Sequence, residues 1–178
     1  MTIAFATVIT AGVFAQNNTV MVGGEMMYPT KNIVENAINS KDHTTLVAAV
    51  KAGELVETLM SKGPFTVFAP TNDAFENLPQ GTVETLLKPA NKSMLQGILT
   101  YHVVAGKYGF KEISDLVKKN KGKAMLKTVA GGQLTFTMNG DYNVIIMDEK
   151  GQTANITTYN INQSNGVINV IDKVLMPS

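Results

Sequence analysis

Residues 65–75 read FTVFAPTNDAF, and this stretch decides the fold. Its first five residues are aromatic or β-branched or small and apolar, and they stand between prolines, a pattern typical of a short buried strand. Thr71 follows where a helix cap is needed, because its hydroxyl can accept hydrogen bonds from free backbone N–H groups. Asp73 places negative charge at the positive end of the helix dipole, and Phe75 is positioned to anchor the helix in the core. The stretch therefore predicts a central strand that leads directly into a capped helix.

Composition indicates one globular domain with almost balanced charge. The 178 residues are 44% hydrophobic and 16% charged, which is enough to bury a core of ordinary size. A formal net charge of +1 gives no case for binding nucleic acid or an anionic membrane surface. Cysteine is absent, which excludes disulfides and thiolate metal sites.

The N-terminus carries a signal for export. An apolar run without charge extends from Ile3 to Ala15 and ends in Val13-Phe14-Ala15, which matches the cleavage pattern of a secretory signal peptide over residues 1–15 and is too short to span a bilayer. The usual positive charge before the run is missing, so either the true start lies upstream or the run is an ordinary apolar segment. We expect export, a flexible lead over residues 16–29 and a single domain over residues 30–178.

Helical patterns dominate the first two thirds of the domain. Apolar residues recur at helical spacing from residue 33 to residue 117, Thr30 is placed to cap the first helix, and Gly53 is placed to end the second in a left-handed conformation. Tyr101 to Val104 are instead interpreted as an alternating strand, with one of Tyr101 and His102 facing inward and the other outward.

The rest of the domain is predicted to be β-structure. Strands are predicted over residues 126–129, 134–138, 144–147, 154–158 and 167–175, with type I′ hairpin turns at Asn139-Gly140 and Asn165-Gly166. Helices followed by a β-meander give an α+β domain.

Three motifs resemble those of the fasciclin domain, a family of secreted adhesion modules. The first is the opening stretch with Thr71, Asn72, Asp73 and Phe75, the second is the Tyr101-His102 pair, and the third is residues 165–177, which include Asp172. The resemblance implies a β-wedge of antiparallel and mixed strands with flanking N-terminal and central helices. This chain has Asn169 where the family usually carries a His, so no role of that His is transferred. On a strand, Asn169 shares a face with Val167 and Ile171, and we expect it to be inward, hydrogen-bonded and structural.

Enzyme and metal chemistry have little support in the sequence. The chain has two histidines, His43 and His102, no Cys, and no Ser in a Gly-x-Ser-x-Gly turn. Asp141, Asp148 and Glu149 near a hairpin tip are interpreted as a solvated edge rather than a cation site. We therefore predict a protein that is not an enzyme and has no cofactor or metal.

Function is predicted to be recognition outside the cell. By the resemblance, the chain is an adhesion or interaction module, secreted, extracellular or periplasmic, whose partner is a cell-surface or matrix protein or a polysaccharide. Tyr101 and His102 are the candidate partner-binding residues, because such pairs are implicated in partner contact in animal members of the family. The alternatives are a structural surface protein that weakly self-associates and an unrecognised hydrolase.

Overall fold

A computed structural model describes residues 19–178, and the predicted signal peptide at residues 1–15 lies outside them. The helices of the described part are α1 Ile33–Ala37, α2 Thr44–Ala52, α3 Val56–Met60, α4 Asn72–Glu76, α5 Thr82–Leu86, α6 Lys92–Tyr101 and α7 Phe110–Lys119. The strands are β1 Val20–Val22, β2 Glu25–Met27, β3 Phe65–Pro70, β4 Val103–Ala105, β5 Lys123–Lys127, β6 Gln133–Asn139, β7 Asn143–Met147, β8 Thr153–Gln163 and β9 Gly166–Ile171.

Seven of these strands form one mixed sheet in the order β4-β3-β9-β8-β7-β6-β5. The central strand β3 pairs parallel with β9 and antiparallel with β4, and the remaining pairs are antiparallel. The two ends of the sheet meet, because the Val129 N–H donates to the Val103 carbonyl at 2.7 Å and Val104 bridges to Thr128. The predicted α+β class with antiparallel and mixed strands is confirmed, and the sheet curls into a nearly closed barrel.

Strand β3 separates two hydrophobic cores. Val67 and Ala69 face a core shared with helices α1, α2 and α6, whereas Phe68 faces a core inside the curled sheet, closed by α7. Phe68 packs against Phe136 there, with ring centroids 5.4 Å apart. A strand covered on both faces is apolar throughout, which explains the continuous hydrophobic run in the sequence.

The structure confirms the predicted cap of one helix and corrects the predicted ends of two others. Thr71 caps α4, since its Oγ1 accepts from the Ala74 N–H at 3.3 Å. Helix α1 is capped by Asn32 rather than Thr30, because Asn32 and Glu35 satisfy each other's backbone N–H groups in a capping box. After α2, Gly53 keeps a right-handed φ of −78°, and Glu54 takes the left-handed conformation with a φ of 53°.

Residues 20–27, assigned by sequence to a flexible lead, form a hairpin docked on the domain. Strands β1 and β2 pair antiparallel, and Val22 and Met27 belong to the helix-side core. The turn residue Gly23 packs directly on Ser40, and its carbonyl accepts from the Lys41 N–H at 3.3 Å. The prediction failed because the hairpin is too short to be recognised by its own periodicity and is held by long-range packing.

Two of the predicted hairpins are present with turns other than type I′. Residues 140–142 form a three-residue loop, since Asn139 pairs with Asn143, and Ser164-Asn165 is a two-residue loop between Gln163 and Gly166. Among the described residues, positive φ outside glycine is confined to Glu54, Lys121 and Asn160, so neither Asn139 nor Asn165 has the backbone that type I′ requires.

Candidate functional site around Tyr101 and His102

Tyr101 and His102 end helix α6 rather than lying on a strand, and both are buried. Tyr101 is the last residue of α6, His102 caps it, and β4 begins only at Val103. Their exposed fractions are 0% and 3%. The predicted inward and outward alternation is therefore wrong: an apolar run of four residues is ambiguous between the last helical turn and a strand. Direct contact with a partner stays a prediction, and it would require the end of α6 to open.

The His102 ring bonds to the C-terminal segment. Its Nδ1 donates to the Ile98 carbonyl at 2.8 Å, and its Nε2 accepts from the Leu175 N–H at 2.9 Å, which assigns the neutral tautomer with the proton on Nδ1. Burial lowers the pKa of His102 from 6.5 to about 4, against the opposing effects of the Ile98 carbonyl and the Asp148 carboxylate. The ring is thus neutral at physiological pH and acts as an internal crosslink.

The Tyr101 hydroxyl joins two strands of the curled sheet at their ends. It donates to the Gln133 carbonyl at 2.8 Å and accepts from the Glu149 N–H at 3.0 Å. Burial, assisted by the charges of Glu149 and Asp148 and opposed by the Glu149 backbone hydrogen bond, raises the pKa of Tyr101 to about 12. Both residues of the pair therefore have all their polar atoms engaged by the protein itself.

Asp148 and Glu149 hold the end of the chain. Asp148 is buried, and its two oxygens accept from the N–H groups of Lys150, Gln152 and Met176 at 2.8–3.0 Å. Glu149 accepts from the N–H groups of Gln133 at 2.9 Å and Ser178 at 3.2 Å, and these bonds lower its pKa. The interpretation of Asp148 as part of a solvated edge is wrong, because its carboxylate organises a turn and binds the C-terminal segment.

The polar residues of the signature segments also connect elements. Asn72 accepts from the Thr45 N–H at 3.0 Å and donates to the Lys41 carbonyl at 2.8 Å, which ties α4 to the start of α2. Asp172 accepts two hydrogen bonds from Asn155, both at 2.7 Å. Asp73 is exposed in the first turn of α4.

Phe75 and Asn169 lie inside the protein. Phe75 is 7% exposed and belongs to the helix-side core. Asn169 is fully buried, donates to the Tyr108 carbonyl at 3.0 Å, and accepts from the Asn160 N–H at 3.1 Å in an irregular part of β8. Its predicted inward position and hydrogen bonding are therefore found.

Sequence reasoning missed a buried Ser–His contact near the hairpin. Ser40 Oγ lies 2.9 Å from His43 Nδ1, and both residues are at most 2% exposed. His43 Nε2 has no hydrogen-bond partner in the described residues. Burial lowers the pKa of His43, opposed by the Ala69 carbonyl and by Asp42. The Ser-x-x-His spacing was the signal available in the sequence, but the burial of the pair depends on the hairpin.

The described residues do not assemble an open catalytic or metal site. The Ser40 hydroxyl meets the spacing of a nucleophile and a base, yet Gly23 covers it and no carboxylate is hydrogen-bonded to the His43 ring. No group of three or more potential metal-ligating His, Cys, Asp or Glu side chains occurs within residues 19–178. In the same range, no helix combines the length and the apolar character needed to cross a membrane.

Comparison with known proteins identifies a family model and curated relatives that match this chain. The family model described as Fasciclin domain matches residues 41–177. Protein sll1483 of Synechocystis is 48% identical over 145 residues, which cover 82% of this chain and 73% of that protein. Human periostin is 29% identical over 164 residues, which cover 92% of this chain but 18% of periostin.

A solved structure has the same fold. It is a FAS1 domain pair from the insect cell adhesion molecule fasciclin I, with a TM-score of 0.74 and 15% identity, and the match covers 88% of this chain and 57% of that one.

Proposed function

Because the chain belongs to the fasciclin domain family, we propose that it is a non-enzymatic extracellular module that binds a cell-surface or matrix protein or a polysaccharide. The observation that carries the proposal is the match over residues 41–177, joined to a fold shared with a cell adhesion molecule. The burial of both histidines agrees with a protein that does not use them for catalysis.

A polar groove beside α7 is the surface that we propose for partner contact. It has a volume of about 680 Å³ and is lined by Lys107, Lys111, Tyr159, Asn160 and Asn162, among others. The Tyr159 ring is fixed by edge-on packing against Phe110, with centroids 5.2 Å apart, and its hydroxyl accepts from the Val144 N–H at 2.7 Å. The lining also includes Glu112, and the Lys111 ammonium is paired with Asp115 at 2.6 Å, so Lys107 is the cation that we expect to meet an acidic group of a polysaccharide or protein partner, beside amides and a fixed aromatic ring.

An array of matrix proteins and polysaccharides, probed with the full chain, tests this proposal. We expect saturable binding to at least one acidic member, weakened by the double substitution of Lys107 and Lys111 to Ala and retained by Lys88→Ala, an exposed position on a different part of the surface. Absence of saturable binding to any member would contradict the recognition proposal. If the Lys107 and Lys111 double variant bound as tightly as the unmodified chain, the contact would lie outside the groove.

Self-association is the second candidate function, and sedimentation of the full chain distinguishes it from recognition of another molecule. A recognition module should sediment as one species whose mass does not rise with concentration. Dimers that grow with concentration, together with an empty array, would favour a structural surface protein.

A further inference from the structure

Charged residues are unevenly distributed along the chain, although their total is almost balanced. Residues 116–140 contain five lysines and no Asp or Glu, whereas the rest of the chain has ten basic and fourteen acidic residues. Charges more than about 10 Å apart are largely screened at 0.1 M salt, so a local excess of one sign acts on a partner despite a small net charge. The five lysines are all exposed: Lys118, Lys119, Lys121, Lys123 and Lys127.

The fold places these lysines on and beside the outer side of the curled sheet. Ala124 faces the core closed by α7, so the alternation of side chains turns Lys123 and Lys127 outward, with the exposed Met125 between them. The next strand continues the same side, because Lys123 pairs with Thr137 and Met125 pairs with Thr135. We call the outward side of β5, β6, β7 and the start of β8, together with the turn between α7 and β5, the basic face.

The packing of α7 leaves this side of the strands uncovered by that helix. Ile113 and Val117 of α7 belong to the core inside the curled sheet, together with Phe136 of β6 and Ile146 of β7. The helix therefore lies against the inward side of these strands. A partner can reach the outward side without displacing it.

Acidic residues do not neutralise the basic face. Strands β5 to β8 contain no Asp or Glu. The ion pairs found among residues 19–178 are formed by Lys92 and by Lys111, so none of the five lysines is paired. The nearest acidic residues along the chain are Asp115, which is paired with Lys111, and Asp141 in the loop between β6 and β7.

The dipole of α7 explains only part of this cluster. Lys118 and Lys119 lie in the last turn of α7, where the negative end of the helix dipole favours cations. Lys121, Lys123 and Lys127 lie beyond the helix, and their charges have no such role. They are therefore the lysines that are free to act on a partner.

We propose that the basic face binds a linear acidic polysaccharide, whose sulfate or carboxylate groups contact the lysines while its hydroxyl groups bond to Thr135 and Thr137. The inference deepens the proposed recognition function and rests on it for the extracellular setting in which such polymers occur. It adds a second surface, which shares no residue with the groove beside α7.

The side chains of the basic face favour a polysaccharide over other polyanions. Proteins that bind single-stranded nucleic acid stack bases on aromatic rings, and those that read duplexes use Arg in bidentate contacts. The chain has no Arg, and the aromatic residue of strands β5 to β7, Phe136, faces the core. An anionic membrane is favoured by a large apolar surface beside the cations, but Ile145 and Met147 on the outward side are half-buried.

Calorimetric titration of the full chain with dextran sulfate tests this proposal, and unsulfated dextran is the matched neutral ligand. We expect saturable binding to dextran sulfate and none to dextran. Between about 50 and 200 mM NaCl, the logarithm of the association constant should fall linearly with the logarithm of the salt concentration, because bound lysines release counterions from the polymer.

Two triple variants with the same loss of charge make the test specific. The first removes the lysines of the basic face beyond α7, by Lys121→Gln, Lys123→Gln and Lys127→Gln. The control removes exposed lysines from the helix-containing half of the domain, by Lys41→Gln, Lys51→Gln and Lys88→Gln. We expect the first to weaken binding at least about tenfold and to reduce the salt slope by about one for each contacting lysine, and the control to change neither. Urea unfolding midpoints equal to that of the unmodified chain verify that both variants are folded.

The outcomes separate this inference from the proposal for the groove. No binding to dextran sulfate, or equal weakening in the two triple variants, would overturn the inference and leave the groove untouched. Binding that is lost by Lys107→Ala but retained by the variant of the basic face would also overturn it, while supporting the groove. Equally tight binding at the same salt concentration to oligo(dT) or to phosphatidylglycerol vesicles would assign the face to another class of partner and overturn the inference too.

Discussion

Individual side chains of the signature segments act on stability through hydrogen bonds that can be named. Thr71 satisfies one free N–H of α4, and His102 joins α6 to the C-terminal segment. Both nitrogens of the His102 ring are engaged within the protein, and the Thr71 hydroxyl serves as the helix cap. We therefore expect substitutions at these positions to change the free energy of unfolding before they change recognition.

Thr71→Ala should lower the free energy of unfolding by about 0.5–2 kcal/mol, because the Ala74 N–H loses its cap. Urea denaturation at pH 7 measures the change. Thr71→Ser keeps the hydroxyl and serves as the control, which should retain most of the stability. A Thr71→Ala variant with the same unfolding midpoint as the unmodified chain would show that the cap is not used.

His102 should make the domain sensitive to acid. The pKa of the ring is about 4 in the folded state and 6.5 ordinarily, so the unfolded chain binds the proton more readily. Stability from the neutral ring is present above about pH 6.5 and is lost as the pH falls toward 4, by about 3 kcal/mol for a difference of this size.

His102→Gln tests this dependence through unfolding free energies measured at pH 7 and pH 4.5. The variant should be less stable than the unmodified chain at pH 7 and should lose less stability on acidification. Thr71→Ala is the control, since its deficit involves no titrating group and should be the same at both pH values. If the unfolding free energies of His102→Gln and of the unmodified chain changed equally between pH 7 and pH 4.5, the assigned role of the neutral His102 ring would be contradicted.

At the scale of elements, the N-terminal hairpin is part of the fold. Its two adjacent methionines point in opposite directions, because successive residues of a strand alternate. Met27 is 2% exposed and lies in the helix-side core, whereas Met26 is 38% exposed. The hairpin also covers Ser40 through Gly23, so its loss would open the contact between Ser40 and His43.

Met27→Ala should therefore cost about 2–5 kcal/mol, within the range for truncating a buried Met, while Met26→Ala should stay within about 0.5 kcal/mol of the unmodified chain. Thermal and urea unfolding of both variants provide the comparison. Similar small effects at the two positions would mean that the hairpin is not packed on the domain and that residues 16–29 are a flexible lead after all.

Local signals and long-range contacts explain which elements the sequence could predict. Residues 65–75 were predicted correctly because a buried strand, a cap and a helix start are all written in neighbouring side chains. Tyr101 was misassigned because a short apolar run has no unique period. His102 bonds to Leu175, far along the chain, and the burial of the Ser40–His43 pair depends on the docked hairpin, so the local Ser-x-x-His spacing does not by itself reveal that environment.

At the scale of the whole molecule, two cores share one strand and are joined at the Tyr101-His102 pair. His102 caps α6, whose residues Ile98 and Leu99 lie in the helix-side core, and it bonds to Leu175, whose side chain belongs to the core inside the curled sheet. Tyr101 lies in that second core and links Gln133 to Glu149. This placement makes the pair a joint between the two halves of the domain, and the partner contact that we propose lies on the outer surface.

Chemical modification of histidine in the native full chain tests this placement most directly. Diethyl pyrocarbonate acylates accessible neutral imidazole rings, and mass spectrometry distinguishes the peptides that contain His43 and His102. At pH 7 we expect His102 to react far more slowly in the folded protein than in urea-unfolded protein, because both ring nitrogens are buried and hydrogen-bonded. Modification of His102 in the folded protein at the rate of the unfolded chain would contradict the account and restore the pair as an exposed contact site.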